Sequence, residues 1–210
     1  MPFSTKRIFY KEHVFNINQN VYEPAEDTFL FAQNLMVRHG AKVADIGTGC
    51  GILGILAAER AIEVQAIDIN PWAIQCAKKN ARLACVDEKI LLIQGDLFGP
   101  LRPEERFDLI LFNAPYLPSE KDEGKLWIEQ AWVGGPTGRK IIDAFIFEAP
   151  KHLNSNGEIL LMQSTLSKVE ETIERLKEKG LNTSIIAKQD LQLFETIMLI
   201  RAKSNKHYPA

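Results

Sequence analysis

The folds open to this chain are limited first by one short, glycine-rich stretch. Val43, Ala44 and Ile46 form a small apolar run of the kind that makes a buried parallel strand. Gly47, Gly49 and Gly51 follow at alternate positions, and residues 52–58 then indicate a buried helix. Strand, glycine turn and helix predict a cradle for a nucleotide-like ligand, because glycine lets the backbone approach it and free N–H groups face it from the helix start.

The glycine turn by itself leaves the ligand open. Residues 49–54 also match the dinucleotide fingerprint G-x-G-x-x-G, and Asp68 lies near the acidic position expected downstream. The carboxylate of Asp45 argues against a pyrophosphate beside the turn, because two anions repel each other, and favours a ligand with positive charge there. The plain alternative is a tight strand-to-helix turn, which any α/β protein can contain.

Length and charge exclude several classes of protein. With 210 residues the chain is expected to form one domain large enough to bury a two-sided sheet. Its 25 basic and 27 acidic residues nearly cancel, which removes any bulk electrostatic case for nucleic acid or an anionic membrane. No apolar run is long enough to span a bilayer and no signal-peptide pattern is present, so we expect a cytoplasmic protein.

Cysteine and histidine usage predicts no metal site. The three cysteines, Cys50, Cys76 and Cys85, form no C-x-x-C pair, and an odd count without ligand spacing is typical of reduced intracellular thiols. The four histidines are scattered along the chain. We therefore expect neither a structural metal ion nor a disulfide framework.

Apolar patterns with the periods of strands and helices alternate along the chain. Besides residues 43–46, strands are predicted over residues 63–68, 89–96, 107–112, 158–162, 183–188 and 195–201, and helices over about 71–84, 141–153 and 169–180. The last two strands lie close enough in the chain to pair antiparallel. This alternation predicts an α/β fold with a doubly wound, mostly parallel, seven-stranded sheet.

The N-terminal region predicts a short extension laid on this domain. Residues 1–21 are expected to form a strand or hairpin over the entrance to the core. A helix with Pro24 in its first turn should follow, and Phe29, Ala32 and Met36 would share its packing face. The expected division is an extension and helix over residues 1–40, the main domain over residues 41–202 and a loose tail over residues 203–210.

Polar groups stand at the ends of four predicted strands, at residues 45–51, Asp68, Asp96 and residues 113–116. In a doubly wound sheet the ligand lies beyond the carboxyl ends of the strands. Each group alone would be an ordinary turn residue, but four of them converging on one crevice predict a ligand site. There Asp68 would accept the hydroxyls of a ribose, and Asp96 the exocyclic amine of an adenine.

These strand-end groups together resemble class I S-adenosylmethionine-dependent methyltransferases of the amino/amide-nitrogen type, which have a Rossmann-like sheet with an antiparallel last strand. The motifs are Asp45-x-Gly47-x-Gly49-x-Gly51, the acid Asp68, Gly95-Asp96 and Asn113-x-Pro115-Tyr116. Residues 21–28 and 129–139 are similar to flanking motifs of the archaeal and eukaryotic branch of the HemK/PrmC family. That family methylates the side-chain amide of the glutamine in the Gly-Gly-Gln tip of translation release factors, which implies the same activity here.

The resemblance, which runs from about Asn20 to Arg201, assigns roles to individual residues. It implies S-adenosylmethionine as the cofactor, bound by Thr28, Asp45, Gly47, Gly49, Gly51, Asp68, Asp96 and Asn113. It implies catalytic roles for Asn113, Pro115 and Tyr116, and substrate contacts from these three residues and Ala114. Ala114 departs from the family, which usually has a second proline there, but its carbonyl remains and we expect the chemistry to survive.

The amide chemistry also follows from physical argument. An amide nitrogen is a poor nucleophile because its lone pair is delocalised into the carbonyl. Two acceptors, the Asn113 side-chain oxygen and the Ala114 carbonyl, would hold its N–H groups and aim that lone pair at the methyl group. Orientation of this kind contributes up to ~7–11 kcal/mol in well-aligned reactions.

The resemblance also implies a protein partner. Members of the archaeal and eukaryotic branch associate with a small zinc-binding activator protein. In the family's strand order the strand Ile90–Ile93 lies at the edge of the sheet, where an exposed apolar strand invites the addition of another strand. We expect the activator to cover this edge. The alternative is a strand shielded by its own flanking helices.

Other substrates remain open at this point. An Asn-x-Pro-Tyr sequence also serves adenine-N6 methyltransferases, although the near-neutral charge and the lack of a separate basic domain argue against nucleic acid. Related proteins are also linked to lysine methylation. A non-catalytic binding module conflicts with the intact residues 113–116, and a nicotinamide dehydrogenase leaves Asp45 and Asp96 unexplained. The loop over residues 127–138 is expected to help bind substrate, with a structural cover as the alternative.

Overall fold

The computed structural model describes residues 5–119 and 127–204. The strands are β1 (Thr5–Tyr10), β2 (His13–Asn18), β3 (Lys42–Ile46), β4 (Glu63–Asp68), β5 (Ile90–Gln94), β6 (Phe107–Asn113), β7 (Leu153–Ser164), β8 (Leu181–Asp190) and β9 (Thr196–Ser204). The helices are α1 (Glu26–Asn34), α2 (Ile52–Ala58), α3 (Pro71–Leu83), α4 (Trp127–Gln130), α5 (Lys140–Glu148) and α6 (Val169–Glu178).

Seven strands form one sheet in the order β5-β4-β3-β6-β7-β9-β8. The first five strands in this order, from β5 to β7, are parallel to one another, whereas β9 is antiparallel to both β7 and β8. The predicted doubly wound, mostly parallel sheet with an antiparallel last strand is therefore confirmed. The direction of winding reverses between β3 and β6, which places a crevice at their carboxyl ends.

The two faces of the sheet carry separate hydrophobic cores. Because side chains alternate along a strand, Val43 of β3 enters the core built with α1, α2 and α3, while Ala44 and Ile46 enter the core built with α5 and α6. Buried Phe31 fixes α1 on the first face, and buried Phe145 fixes α5 on the second. Coverage on both faces explains why Val43, Ala44 and Ile46 of β3 are all apolar, although they point to opposite sides of the sheet.

The N-terminal residues form the predicted hairpin, in which β1 pairs antiparallel with β2. The hairpin packs on α3, where the Asn16 N–H donates to Asn80 Oδ1 at 2.9 Å and Asn80 Nδ2 donates to the Asn16 carbonyl at 3.0 Å. His13 Nε2 lies 2.8 Å from Glu59 Oε1 and, with Glu12, forms a cluster of metal-type ligands that lines neither cavity described below. The expectation of no metal site stays a prediction.

Two predictions about the first helix are wrong. Helix α1 begins at Glu26, so Pro24 precedes it instead of occupying its first turn. Met36 lies beyond its end and is 81% exposed, because Asn34 Nδ2 binds the Leu30 carbonyl at 2.8 Å and Leu35 is already extended. When a side-chain amide donates to one of the last carbonyls of a helix, the helix can end even though the apolar residues continue at helical spacing.

The expected C-terminal boundary also shifts. Strand β9 continues through Ser204, which pairs with Leu181 of β8, so residues 203 and 204 belong to the sheet and not to a tail. The rest of the expected tail, residues 205–210, lies outside the described part of the chain. Among the helices of that described part, none has the length and apolar character needed to cross a bilayer.

Candidate active site

A cavity of about 720 Å³ opens at the carboxyl ends of β3, β4, β5 and β6. Parallel neighbouring strands end at the same edge of a sheet, so the polar groups that follow them meet there. Of the residues predicted to form the site, its lining includes Thr28, Gly47, Gly49, Asp68, Asp96, Asn113 and Pro115. The structure thus brings together groups that are up to about ninety positions apart in the chain.

The three glycines of the turn have different surroundings. Gly47, Gly49 and Gly51 all have left-handed backbone, with φ of +66°, +58° and +89°. A Cβ on Gly49 would meet no atom of the described residues within 4 Å, so this glycine borders open space in the cavity. A Cβ on Gly51 would lie 3.0 Å from that of Ala77 in α3. Gly51, predicted as a cofactor contact, is therefore placed against α3 and does not line the cavity.

Asp45 likewise turns away from the cavity. Its side chain is buried, and its Oδ2 accepts hydrogen bonds from Thr48 Oγ1 at 2.6 Å and from the Gly54 N–H at 2.9 Å. Burial raises the pKa of this carboxyl to about 7, and the two hydrogen bonds oppose the rise. The carboxylate holds the turn to the start of α2, which departs from the prediction that it faces a positively charged ligand.

Asp68 does face the cavity, at the end of β4. Its Oδ2 accepts the Gly49 N–H at 2.8 Å and its Oδ1 accepts the Asn70 N–H at 2.9 Å. Burial raises the pKa of this carboxyl, and these two N–H groups lower it. Each carboxylate oxygen has about two lone-pair positions, so one on each oxygen remains for a ligand with two adjacent hydroxyls.

Asn113, at the end of β6, presents an open acceptor. Its Nδ2 donates to Asp27 Oδ2 at 3.2 Å and to Thr28 Oγ1 at 3.1 Å. Its Oδ1 is buried and has no hydrogen-bond partner among the described residues. Because a buried polar atom without a partner is costly, this oxygen is a marker for a missing donor.

A second, smaller cavity of about 100 Å³ also has Asn113 in its wall. The predicted residues Ala114 and Tyr116 line this cavity and not the larger one. Its other lining residues are Tyr22, Asp27, Leu117, Ala131 and Trp132. Asn113 therefore stands between two spaces, one large and bordered by the glycine turn, the other small and walled by aromatic rings.

Asp27 is a site residue that the sequence analysis missed. Its side chain is 6% exposed and accepts hydrogen bonds from Tyr22 Oη at 3.0 Å and from Tyr116 Oη at 3.2 Å. Burial first, and the Asp27 carboxylate second, raise the pKa of Tyr22 and Tyr116, so both phenols stay protonated donors. The sequence did contain a signal that could have identified Asp27, because this residue belongs to the motif over residues 21–28 and immediately precedes Thr28.

The described part of the loop closes over these cavities. Leu117 forms a parallel bridge with Val133, and Trp132 packs edge-on against Tyr22 at a ring distance of 6.4 Å. A Cβ on Gly138, whose φ is +70°, would lie 2.3 Å from the Tyr116 carbonyl oxygen. The loop therefore contacts the backbone that follows Asn113, and Trp132 forms part of the smaller cavity's wall.

The far end of the loop is fixed by Arg139. This buried side chain donates to the carbonyls of Ser167 and Lys168 at 2.7 and 2.8 Å and to Thr172 Oγ1 at 3.0 Å. It also pairs with Asp143 at 2.7 Å. These contacts tie the end of the loop to the start of α6, which supports a structural role for Arg139.

The chain matches a known family along most of its length. Residues 25–190 match the methyltransferase small domain. The chain is 39% identical to a putative protein N5-glutamine methyltransferase of Methanocaldococcus jannaschii, over 89% of this chain and 93% of that protein. It is 34% identical to methyltransferase HEMK2 of Homo sapiens, over 87% of this chain and 89% of that protein.

The fold also matches solved structures. One is a chain of the E. cuniculi Mtq2–Trm112 complex, which is described as responsible for methylation of the eRF1 translation termination factor. The likeness has a TM-score of 0.65 at 25% identity and covers 89% of this chain and 99% of that one. The chain therefore belongs to the small-domain methyltransferases and, within them, to the HemK/PrmC-type protein glutamine methyltransferases.

Proposed function

We propose that this protein is an S-adenosylmethionine-dependent N-methyltransferase that methylates the glutamine side-chain amide in the Gly-Gly-Gln motif of a class I translation release factor. Relatives named as glutamine methyltransferases, and a structural relative that acts on eRF1, support the reaction and its substrate. The observation that carries the proposal is that Asn113 lines both cavities and that its buried Oδ1 has no hydrogen-bond partner in the described part of the chain. A release-factor substrate would place the protein in the cytoplasm.

The larger cavity offers hydrogen-bond acceptors that suit S-adenosylmethionine. The free lone pairs of Asp68 suit the ribose hydroxyls, and Asp96 suits the amine of adenine. The open space over Gly49 lets the ligand lie against the backbone of the turn. When bound, this cofactor supplies a methyl group made electrophilic by a sulfonium centre. We assign Thr28 and Asn113 to the wall between it and the substrate.

The smaller cavity suits the acceptor amide. Asn113 Oδ1 accepts one N–H of the substrate and the Ala114 carbonyl accepts the other, which turns the nitrogen lone pair towards the larger cavity. Tyr116 offers a flat face to the planar amide, and Pro115 holds the backbone before it extended. No general base is needed before transfer, because the N–H becomes acidic as the new N–C bond forms.

Methyl transfer from labelled S-adenosylmethionine tests this proposal directly. The wild type and Asn113→Ala would each be incubated with the class I release factor of the same organism, with and without the activator protein. We expect label on the Gly-Gly-Gln glutamine and a loss of roughly 10²–10³-fold in Asn113→Ala, as for other preorganised polar groups. Label on lysine or adenine instead would show that the proposed substrate is wrong. No label on any acceptor would overturn the assignment as an enzyme.

We further propose that a small zinc-binding activator adds a strand to β5. The relative in the Mtq2–Trm112 complex is bound to a partner protein, and β5 is an edge strand of the sheet here. Leu91 on this strand is 53% exposed, although helices α2 and α3 pack nearby. An exposed apolar edge is a template for pairing with another chain.

Leu91→Lys tests the activator surface, and Ile185→Lys is a matched control. Ile185 is 45% exposed on β8, the strand at the opposite edge of the same sheet. We expect Leu91→Lys to abolish co-purification with the activator and Ile185→Lys to leave it intact. Equal activator binding and equal solubility of the two variants would refute this placement.

A further inference from the structure

We infer that Asp27 is a positioning residue that fixes the direction of the Asn113 amide and thereby restricts the site to substrates that donate N–H groups. The inference rests on the proposed function, since it concerns the same acceptor oxygen. Asp27 lies in the first turn of α1, eighty-six positions before Asn113. Nothing about its place in the sequence requires the two side chains to meet.

The carboxylate of Asp27 accepts hydrogen bonds from neighbouring protein groups. Oδ1 accepts from Tyr22 Oη at 3.0 Å, from the Thr28 N–H at 2.6 Å and from Thr28 Oγ1 at 3.2 Å. Oδ2 accepts from Asn113 Nδ2 and from Tyr116 Oη, both at 3.2 Å. An ionised carboxylate has about four lone-pair positions, so these five donors leave no acceptor capacity for a substrate. Asp27 therefore acts through the residues that it binds.

The consequence for Asn113 follows from the chemistry of the pair. A side-chain amide has an oxygen on one side and an NH2 group on the other, and a half-turn exchanges them. The carboxylate of Asp27 accepts and does not donate, so only the NH2 group of Asn113 can face it favourably. A half-turn would place Asn113 Oδ1 against Asp27 Oδ2, two acceptors in a buried site. The oxygen is thus held on the side of the amide away from Asp27, and it has no hydrogen-bond partner among the described residues.

Substitution by asparagine would remove this selection without changing the size of the side chain. The amide of Asp27→Asn can present either its oxygen or its NH2 group, so Asn113 would become free to take both directions. In the reversed direction Asn113 presents NH2 to the substrate and favours an acceptor, such as a carboxylate, over an amide. The structure therefore predicts a change of substrate preference, which a purely structural defect would not produce.

The decisive measurement compares two peptides. Binding of a Gly-Gly-Gln peptide and of its Gly-Gly-Glu counterpart would be measured by calorimetry with S-adenosylhomocysteine present, for the wild type, Asp27→Asn, Asp27→Glu and Glu26→Gln. Glu26 is the matched control, because it is the neighbouring acid of the same helical turn and is exposed. We expect the preference for the glutamine peptide to fall at least tenfold in Asp27→Asn alone. Asp27→Glu keeps an acceptor-only carboxylate and should retain the preference.

Turnover adds a second readout. Asp27→Asn should lower kcat for the release factor by about 10²-fold, the cost of misplacing a reacting group, while the rise in melting temperature caused by S-adenosylmethionine stays unchanged. Wild-type preference and wild-type kcat in Asp27→Asn would overturn the inference. If the peptides bind as predicted but no methyl transfer occurs in any variant, the proposed function fails and the inference about Asn113 stands.

A measurement on the wild type covers the case in which Asp27→Asn does not fold. The side-chain NH2 of Asn113, assigned by nuclear magnetic resonance, should exchange slowly with solvent, because both of its hydrogen-bond acceptors are buried. Its resonances should move when Tyr116→Phe removes another donor from the same Asp27 oxygen. Fast exchange with solvent, or Asn113 resonances that do not shift in Tyr116→Phe, would show that Asp27 does not hold the amide.

Discussion

The two halves of the active site are built in different ways. On the cofactor side, Asp68 binds N–H groups two and nineteen positions away, and Asp45 binds groups three and nine positions away. On the acceptor side, Asp27 binds Asn113 and Tyr116 across eighty-six and eighty-nine positions. The contacts of the two acids on the cofactor side therefore span at most nineteen positions, whereas those of Asp27 form only once the helix and the strand have packed together.

The buried acids of the two halves illustrate this difference. Asp45 and Asp27 are both almost fully buried, and each accepts hydrogen bonds from neutral donors. Asp45 stabilises the turn that carries it, so it shapes the cavity from behind. Asp27 orients side chains that belong to another element, so it shapes the chemistry. Burial of a carboxylate is thus no guide to which of these two tasks it performs.

Gly138→Ala should disturb the acceptor side of the active site and cause the largest loss of methyl transfer. A Cβ at this position would lie 2.3 Å from the Tyr116 carbonyl oxygen, so the loop must move away from the smaller cavity. We expect methyl transfer to fall by about 10²-fold, with a stability loss of roughly 1–3 kcal/mol. Cofactor binding should persist, as shown by the thermal shift with S-adenosylmethionine.

Gly40→Ala is the control for Gly138→Ala. Gly40 has a φ of +74°, but within the described part of the chain a Cβ there would meet no atom within 4 Å. Both variants therefore carry the backbone cost of a left-handed alanine, and only Gly138→Ala adds the collision. Equal transfer rates in the two variants would contradict the contact between the loop and Tyr116.

Asp45→Asn probes the cofactor half through pH. Burial raises the pKa of Asp45 to about 7 in the folded protein, against ~3.9 for an unfolded aspartate. Between these two pKa values the folded state binds one more proton than the unfolded state. The contribution of Asp45 to stability is therefore complete below the unfolded pKa and is lost as the pH rises through the folded pKa. Raising the pH from about 5 to about 7 should lower the free energy of unfolding by roughly 2–3 kcal/mol.

Denaturant titrations across this range measure that effect. In Asp45→Asn most of the slope should disappear, and Asp68, whose pKa burial also raises, should leave a remainder of the same sign. A slope as large as that of the wild type would show that another group titrates.

Gly49→Ala should affect the cofactor half alone, with a smaller loss. The added methyl group would enter open space in the larger cavity, and the left-handed backbone would cost about 1–2 kcal/mol. We expect S-adenosylmethionine to bind roughly tenfold more weakly, the effect of about 1.4 kcal/mol, with binding of the Gly-Gly-Gln peptide unchanged. Gly180→Ala, with φ of +80° and no atom near its Cβ, carries the backbone cost alone. Equal cofactor affinity in both variants would separate Gly49 from the cofactor site.

Ala114→Pro should have the smallest effect. The carbonyl assigned to the substrate remains, and a compatible proline changes stability by only ~0.4–1 kcal/mol. Methyl transfer should therefore stay within a few-fold of the wild type in a direct rate comparison. A correctly folded but inactive variant would show that the backbone after Asn113 does not follow the path assigned to it.

Local sequence patterns predicted most of the fold. Strand β4 has the predicted bounds, and α3 begins at Pro71 as predicted, where Asn70 caps it by accepting the Trp72 N–H at 2.9 Å. The predictions fail where a tertiary or side-chain contact overrides the helical period of apolar residues. Met36 is an example, because α1 ends at Asn34, whose side chain binds the Leu30 carbonyl, and Met36 lies beyond that end. Asp45 was predicted to face the ligand because a sequence position does not reveal the direction of a side chain.

The sequence by itself determined the glycine turn, the polar strand ends and the order of strands and helices, because each depends on residues within a few positions of one another. Tertiary structure decided which carboxylates face the ligand, which glycines pack against α3 or the loop, and which way the Asn113 amide points. The physical reason is that an amide direction is set by its hydrogen-bond partners, and those of Asn113 lie eighty-five and eighty-six positions away.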